Sequence, residues 1–327
     1  MVWAAGTARA ARKIATAAAL GGGGLTALGA TAYGLLMAES LLARKVIGRP
    51  HGMEGPPSDG VYGDFPGTPV SMVLLGDSLS VGLGMTDPAG TPGVLLAHGL
   101  ASVAERPVRL RVVGKSGAPS AELADQVDRA LTAEPQLAVI FVGANDVTTQ
   151  TPPAVAVRHL SKAVRRLREA GAEVVVGTCP DLGTVRPIAQ PLRWVTRRWS
   201  RQLAAAQTVA VVDAGGRTVS FADVLGPDFA TNPGEMFGPD RFHPSARGYA
   251  QAAYAVLPSV CAALGLWPEP RPARGEGLQP IYLAAATAAE ESGTEVSATT
   301  VAGRATGLHG KWATLFRRRL GESPNDA

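Results

Sequence analysis

Apolar residues recur along this chain in two rhythms. Short continuous runs rich in valine lie at Met72–Leu75, Leu110–Val113, Ala138–Val142, Val174–Val176 and Val209–Val212. Each has the length and the apolar character of a strand buried on both faces of a parallel sheet. Helical spacing fills the gaps between them. Ser120 is placed to cap a helix presenting Leu123, Val127 and Leu131 on one face. Val157, Leu160, Val164 and Leu167 mark a second helix, closed by Gly171. Leu192, Val195, Trp199 and Leu203 mark a third, surrounded by Arg193, Arg197, Arg198 and Arg201. The last runs from Ser245 to about Leu264 and is interrupted by Pro258. Strand–helix alternation of this kind predicts an open parallel sheet in three α/β/α layers, within residues 70–267.

The two ends break the rhythm. Ile14 through Ala38 carry no charge, and Arg9, Arg12 and Lys13 precede them. That length suffices for a bilayer span, which needs about 20 apolar residues. Gly21 to Gly24 and many alanines weaken its apolar character, so a signal peptide cleaved near Ala30-Thr31-Ala32 and a soluble Ala-rich helix stay open beside it. The expectation is an uncleaved anchor within residues 1–45, because Leu35, Leu36 and Met37 prolong the run. Arg44, Lys45 and Arg49 follow it, so the flanking charges are nearly balanced. A lone N-terminal span usually acts in export, which favours placing the domain at 70–267 outside the cytoplasm, membrane-anchored or secreted. Residues 46–69, rich in Pro, Gly and Asp, read as a linker. Residues 268–327 read as a mostly flexible tail with a short helix near Ile281–Glu291. Its basic-aromatic end, from Lys311 to Arg319, suits an anionic membrane or plain solvent equally.

Composition narrows the class. The chain has 327 residues and is 46% hydrophobic but only 5% aromatic, so its core is mostly aliphatic. The net charge of +4 is not gathered into the clustered basic face that nucleic-acid binding needs, and no nucleic-acid partner is expected. Cys179 and Cys261 form no CxxC pair and sit beside no histidine, which argues against a metal site. A disulfide and two buried thiols both fit them.

Four motifs fall where strands end and helices begin, the place where α/β sheets gather functional groups. The first strand runs into Gly76-Asp77-Ser78-Leu79-Ser80, with Ser78 at a helix start where N–H groups face an incoming oxyanion. The second ends in Gly114-Lys115-Ser116-Gly117, whose glycines let a backbone approach a ligand or simply turn. The third ends in Gly143-Ala144-Asn145-Asp146, where Asn145 either donates its amide to developing charge or caps the next helix. The fourth is Asp240-Arg241-Phe242-His243-Pro244-Ser245, just before the last helix. A serine hydroxyl needs a base, and histidine is the usual one near neutral pH. Of five histidines, His243 alone has a carboxylate at short range on a loop-to-helix junction; His51, His98, His159 and His309 lie in the linker, two helices and the tail.

Together these blocks resemble the SGNH/GDSL hydrolase family in content, chain order and position, over about residues 70–265. The resemblance implies a flavodoxin-like, five-stranded parallel sheet and a serine esterase acting on short to medium acyl esters, including lipids or acylated glycans. It implies Ser78 as nucleophile, His243 as base and Asp240 as its orienting acid. The oxyanion hole would comprise Ser78, Gly117 and Asn145, with Gly114 an accompanying glycine. No cofactor is implied, and a monomer is expected. Val112 stands where the second block often has asparagine, which bears on the loop's geometry. Asp77 and Leu79 beside the nucleophile are candidate substrate contacts, as is Trp194 within an acyl-chain wall of Leu182, Ile188, Leu192, Trp194 and Trp199. Acyl transfer, deacetylation of envelope glycans, thioester cleavage and a non-catalytic membrane-tethered binding module are the competing readings.

Overall fold

The computed structural model describes residues 34–39, 42, 55–266 and 295–297. Among them seven strands form one sheet. They are β1 (Gly60–Tyr62), β2 (Val70–Gly76), β3 (Val108–Val112), β4 (Leu137–Phe141), β5 (Glu173–Gly177), β6 (Arg217–Val219) and β7 (Glu295–Ser297). The spatial order is β1-β3-β2-β4-β5-β6-β7. Strands β3, β2, β4, β5 and β6 are mutually parallel, and antiparallel β1 and β7 border them. The five parallel strands match the expected flavodoxin-like sheet, and the chain reverses its direction of travel across the sheet after β3.

The helices that accompany the strands are α1 (Ser78–Val81), α2 (Pro92–Ala104), α3 (Leu123–Leu131), α4 (Ala144–Thr148), α5 (Pro153–Glu169), α6 (Leu192–Asp213), α7 (Phe221–Val224), α8 (Gly226–Thr231), α9 (Pro233–Met236) and α10 (Ala246–Ala263). Alternation along the strands builds two cores. Val70, Met72, Leu74, Val139 and Phe141 cluster with Leu100, Val256 and Val260 of α2 and α10. Val73, Leu75, Ile140 and Val176 cluster with Val127, Leu160, Val164 and Val211 of α3, α5 and α6. These are the three expected layers.

Several expectations are corrected. Val209–Val212 lies in the last turns of α6, and the fifth parallel strand is Arg217–Val219 instead. Leu203, Gln207 and Val211 are buried at helical spacing, so a short valine run does not separate strand from helix. Ser120 does not cap α3 but lies in a 3-10 turn ahead of it, its hydroxyl engaged elsewhere. The linker contains β1, whose Val61 pairs with Arg109. It also supplies Asp59, which accepts the Val112 N–H at 2.7 Å and so anchors the end of β3. The tail contributes β7 against β6. Both cysteines are buried free thiols.

The helix expected near residues 281–291, His51, His309 and most of the apolar run at 14–38 lie outside the described residues. Among the described residues no helix is long and apolar enough to cross a membrane. Residues 34–39 are helical, and Glu39 Oε2 accepts the Leu192 N–H at 2.8 Å, serving the start of α6 where Pro191 supplies no side-chain cap.

Candidate active site

At the end of β2 the backbone passes very close to β4. Gly76 has φ of 126°, and a Cβ there would lie 1.8 Å from the Phe141 carbonyl oxygen, so no other residue fits. Asp77 then caps the short helix α1 by accepting the Leu79 N–H on Oδ1 at 2.9 Å. Its own carbonyl accepts the Ser80 hydroxyl at 2.7 Å. This turn leaves Ser78 partly exposed at the carboxyl edge of the sheet. Among the described residues no acceptor takes the N–H of Ser78 or of Gly117.

The histidine arrives on a tight loop. Gly238 N–H donates to the His243 carbonyl at 2.8 Å and Ser245 N–H to the Met236 carbonyl at 2.9 Å, closing the loop at its base. Arg241 at its tip takes φ of 56°, a left-handed conformation that costs a non-glycine residue about 1–2 kcal/mol. Asp240 Oδ1 accepts the N–H groups of Phe242 and His243, both at 3.0 Å, which holds the carboxylate beside the ring. Its Oδ2 lies 2.6 Å from His243 Nδ1, and His243 Nε2 lies 3.1 Å from Ser78 Oγ. Phe242 meets the imidazole edge-on at 4.9 Å between ring centroids. Burial pushes the Asp240 carboxyl up, but the bonds from His243 and the Phe242 amide outweigh it and hold the group below its ordinary value. An ionised Asp240 favours the imidazole tautomer with Nδ1 protonated and Nε2 free to accept from Ser78.

The remaining blocks converge on the same edge. Gly117 has φ of 78° with open space where a side chain would stand. Asn145 Nδ2 donates to the Ala118 carbonyl at 3.3 Å, and its side chain favours the ionised form of Asp77. Asn145 therefore does not cap α4, which has Gly143 at that position and no side-chain cap. Gly114 accompanies them as a packing glycine, since a Cβ would lie 2.0 Å from Ser80 Oγ. Asp77 is buried, and desolvation raises its carboxyl to about 7 against the opposing pull of the Leu79 amide and His243.

Beside Ser78 and His243 opens a cavity of about 80 Å³, walled mainly by Leu79, Leu182, Val185, Phe221, Leu225, Phe229 and Phe237. Asp77 and Leu79 are part of its lining. Trp194 is not: it is 60% exposed on α6, because its position on the helix turns the indole outward. Of the other expected wall residues, Leu182 lines the cavity, whereas Ile188 is buried in the core beside it. Leu192 and Trp199 are no part of the lining either. The aromatic wall from Phe221 to Phe237 carries no sequence signal, because this stretch has neither strand nor long-helix rhythm. Asp181, also in the wall, is buried and paired with Arg201 at 3.1 Å and Arg197 at 3.4 Å. Among the described residues no cluster of His, Cys, Asp and Glu could hold a metal ion.

Comparison with known proteins supplies the family. Residues 74–251 match the GDSL-like Lipase/Acylhydrolase family. The chain belongs to that family. A GDSL-like esterase of Mycobacterium tuberculosis is 41% identical over 253 residues, covering 73% of this chain and 79% of that protein. An arylesterase of Vibrio mimicus is 34% identical over 110 residues, covering 32% of this chain and 52% of that protein. Among solved structures, an acetylxylan esterase from Geobacillus stearothermophilus is similar with a TM-score of 0.48 and 19% identity, over 60% of this chain and 95% of that one. As a member of the GDSL-like family the protein is an ester hydrolase.

Proposed function

We propose that this hydrolase cleaves esters of short acyl groups through a covalent Ser78 intermediate. The observation that carries the reading is the chain Asp240–His243–Ser78, at 2.6 and 3.1 Å, opening directly onto an apolar cavity of about 80 Å³. The cavity's modest volume and mainly apolar wall suit a short acyl group. Ser78 Oγ attacks the ester carbonyl carbon as its proton passes to His243 Nε2. The carbonyl oxygen becomes an oxyanion facing the Ser78 and Gly117 N–H groups and the Asn145 amide. Its collapse expels the alcohol, which takes the proton from His243. Water then attacks the acyl-enzyme, giving its proton to His243, and the acid leaves as Ser78 recovers its own. Losing one oxyanion donor typically lowers turnover about 10²–10³-fold.

The location of the chain is a separate proposal: the uncharged run at 14–38, preceded by basic residues, supports tethering at a membrane with the catalytic domain outside the cytoplasm. The test of the chemistry is hydrolysis of p-nitrophenyl esters from acetate to decanoate, beside Ser78→Ala. Activity confined to short chains and abolished in the variant supports the proposal. Equal activity of the two proteins overturns it, and undiminished turnover of the decanoate overturns the acyl length.

A further inference from the structure

Asp146 follows Asn145 directly, is wholly buried, and takes no part in the chemistry above. Both its carboxylate oxygens face Ser120, itself wholly buried. Oδ2 accepts the Ser120 hydroxyl at 2.7 Å, and the Ser120 N–H lies 3.2 and 3.1 Å from the two oxygens. Ser120 ends the loop that carries Gly117. The start of that loop is pinned to β2, with Val113 N–H on the Leu74 carbonyl at 2.9 Å and Lys115 N–H on the Gly76 carbonyl at 3.0 Å. Gly117 sits between these anchors, on a turn closed by the Ala118 N–H and the Lys115 carbonyl at 3.1 Å.

We infer that Asp146 and Ser120 are positioning residues that set the spacing between two oxyanion-hole donors, the Gly117 N–H and the Asn145 amide. Asn145 and Asp146 are consecutive in the first turn of α4, so the bonds that fix the loop's far end also fix the turn bearing Asn145. The Asn145–Ala118 bond, at 3.3 Å, is longer and to a neutral acceptor, and is the weaker tie. Without the Ser120 clamp, that weaker bond is the one hydrogen bond left, among the described residues, between the far end of the Gly117 loop and α4. The inference rests on the esterase reading of this site.

The test compares the parent with Ser120→Ala and Asp146→Asn, counting active sites by fluorophosphonate titration. With p-nitrophenyl acetate, kcat per titrated site should fall roughly 10²-fold, as displacement of catalytic groups by about 1 Å produces, while KM changes less than about twofold. Affinity for a short-chain trifluoromethyl ketone, whose serine adduct carries an oxyanion, should fall in parallel. Unchanged kcat and ketone affinity per titrated site overturn the inference even if thermal stability drops, since that is the signature of a merely structural pair. If Asp146→Asn does not fold, Ser120→Ala alone decides. A parent that reacts with no fluorophosphonate would instead sink the esterase reading itself.

Discussion

The Tyr249 hydroxyl donates to the Leu83 carbonyl at 2.8 Å, in a wholly buried setting. Tyr249 lies in the first turn of the helix that follows His243, and Leu83 closes the turn that follows Ser78. This bond ties the scaffold of His243 to that of Ser78. Tyr249→Phe strands a buried carbonyl and should cost about 1–3 kcal/mol, read from urea unfolding. Turnover should fall more than KM rises, as the Ser78–His243 contact loosens.

Asp240→Asn preserves shape but removes the negative charge that faces His243 Nδ1 at 2.6 Å. Turnover should drop by about 10⁴-fold with little change in folding. Steady-state kinetics beside circular dichroism checks both halves of that expectation.

Asp77 gives a pH signature. Its carboxyl ionises near 3.8 in a free chain but at about 7 in the fold. The folded state therefore holds the proton more tightly, and that contribution to stability is complete below pH 3.8 and lost as pH climbs through 7. Asp77→Asn cannot ionise, so its melting temperature should gain on the parent's between about pH 4 and pH 8. At most about 4 kcal/mol separates the two limits. A difference that stays flat across that range would refute the assignment.

Two glycines should respond differently to the same change. Gly76→Ala drives a methyl into the Phe141 carbonyl and should abolish folding. Gly117→Ala meets open space, so it should fold with a loss of about 1–2 kcal/mol from its left-handed backbone. Thermal denaturation of both distinguishes backbone crowding from conformational strain.

If the cavity receives the acyl group as proposed, its wall sets acyl length. Phe229 and Phe237 meet edge-to-face at 4.8 Å, and Phe229→Leu removes part of that contact. The preferred acyl chain should lengthen, measured with the p-nitrophenyl ester series, while stability falls by about 1–2 kcal/mol.

What the sequence discloses is local. Ser78, Gly117 and Asn145 stand beside turn-forming residues past strand ends, and Asp240 and His243 just ahead of a capped helix, so each is marked within a few positions. The parallel strands are legible wherever valine runs are bounded by turns. The rule fails at Val209–Val212, where helix and buried strand look alike over so short a stretch. Contacts between distant segments leave no such mark. Ser120 has the spacing of an ordinary helix cap, and nothing nearby in the chain shows that its hydroxyl serves Asp146. Trp194 fits a pocket wall by residue type, because an indole on a helix is ambiguous until its direction is known. The pocket's aromatic wall comes from Phe221 to Phe237, a stretch of short helices without a recognisable period.

The antiparallel strand at Glu295–Ser297 lies along β6 with Arg217 opposite Ser297 and Val219 opposite Glu295. It occupies the backbone donors and acceptors that β6 would otherwise turn outward. Trimming the chain after residue 267 would uncover that margin and offer it to another molecule of the same kind, since bare strand edges pair readily. The pairing thus closes a sheet edge that would otherwise be open to another strand.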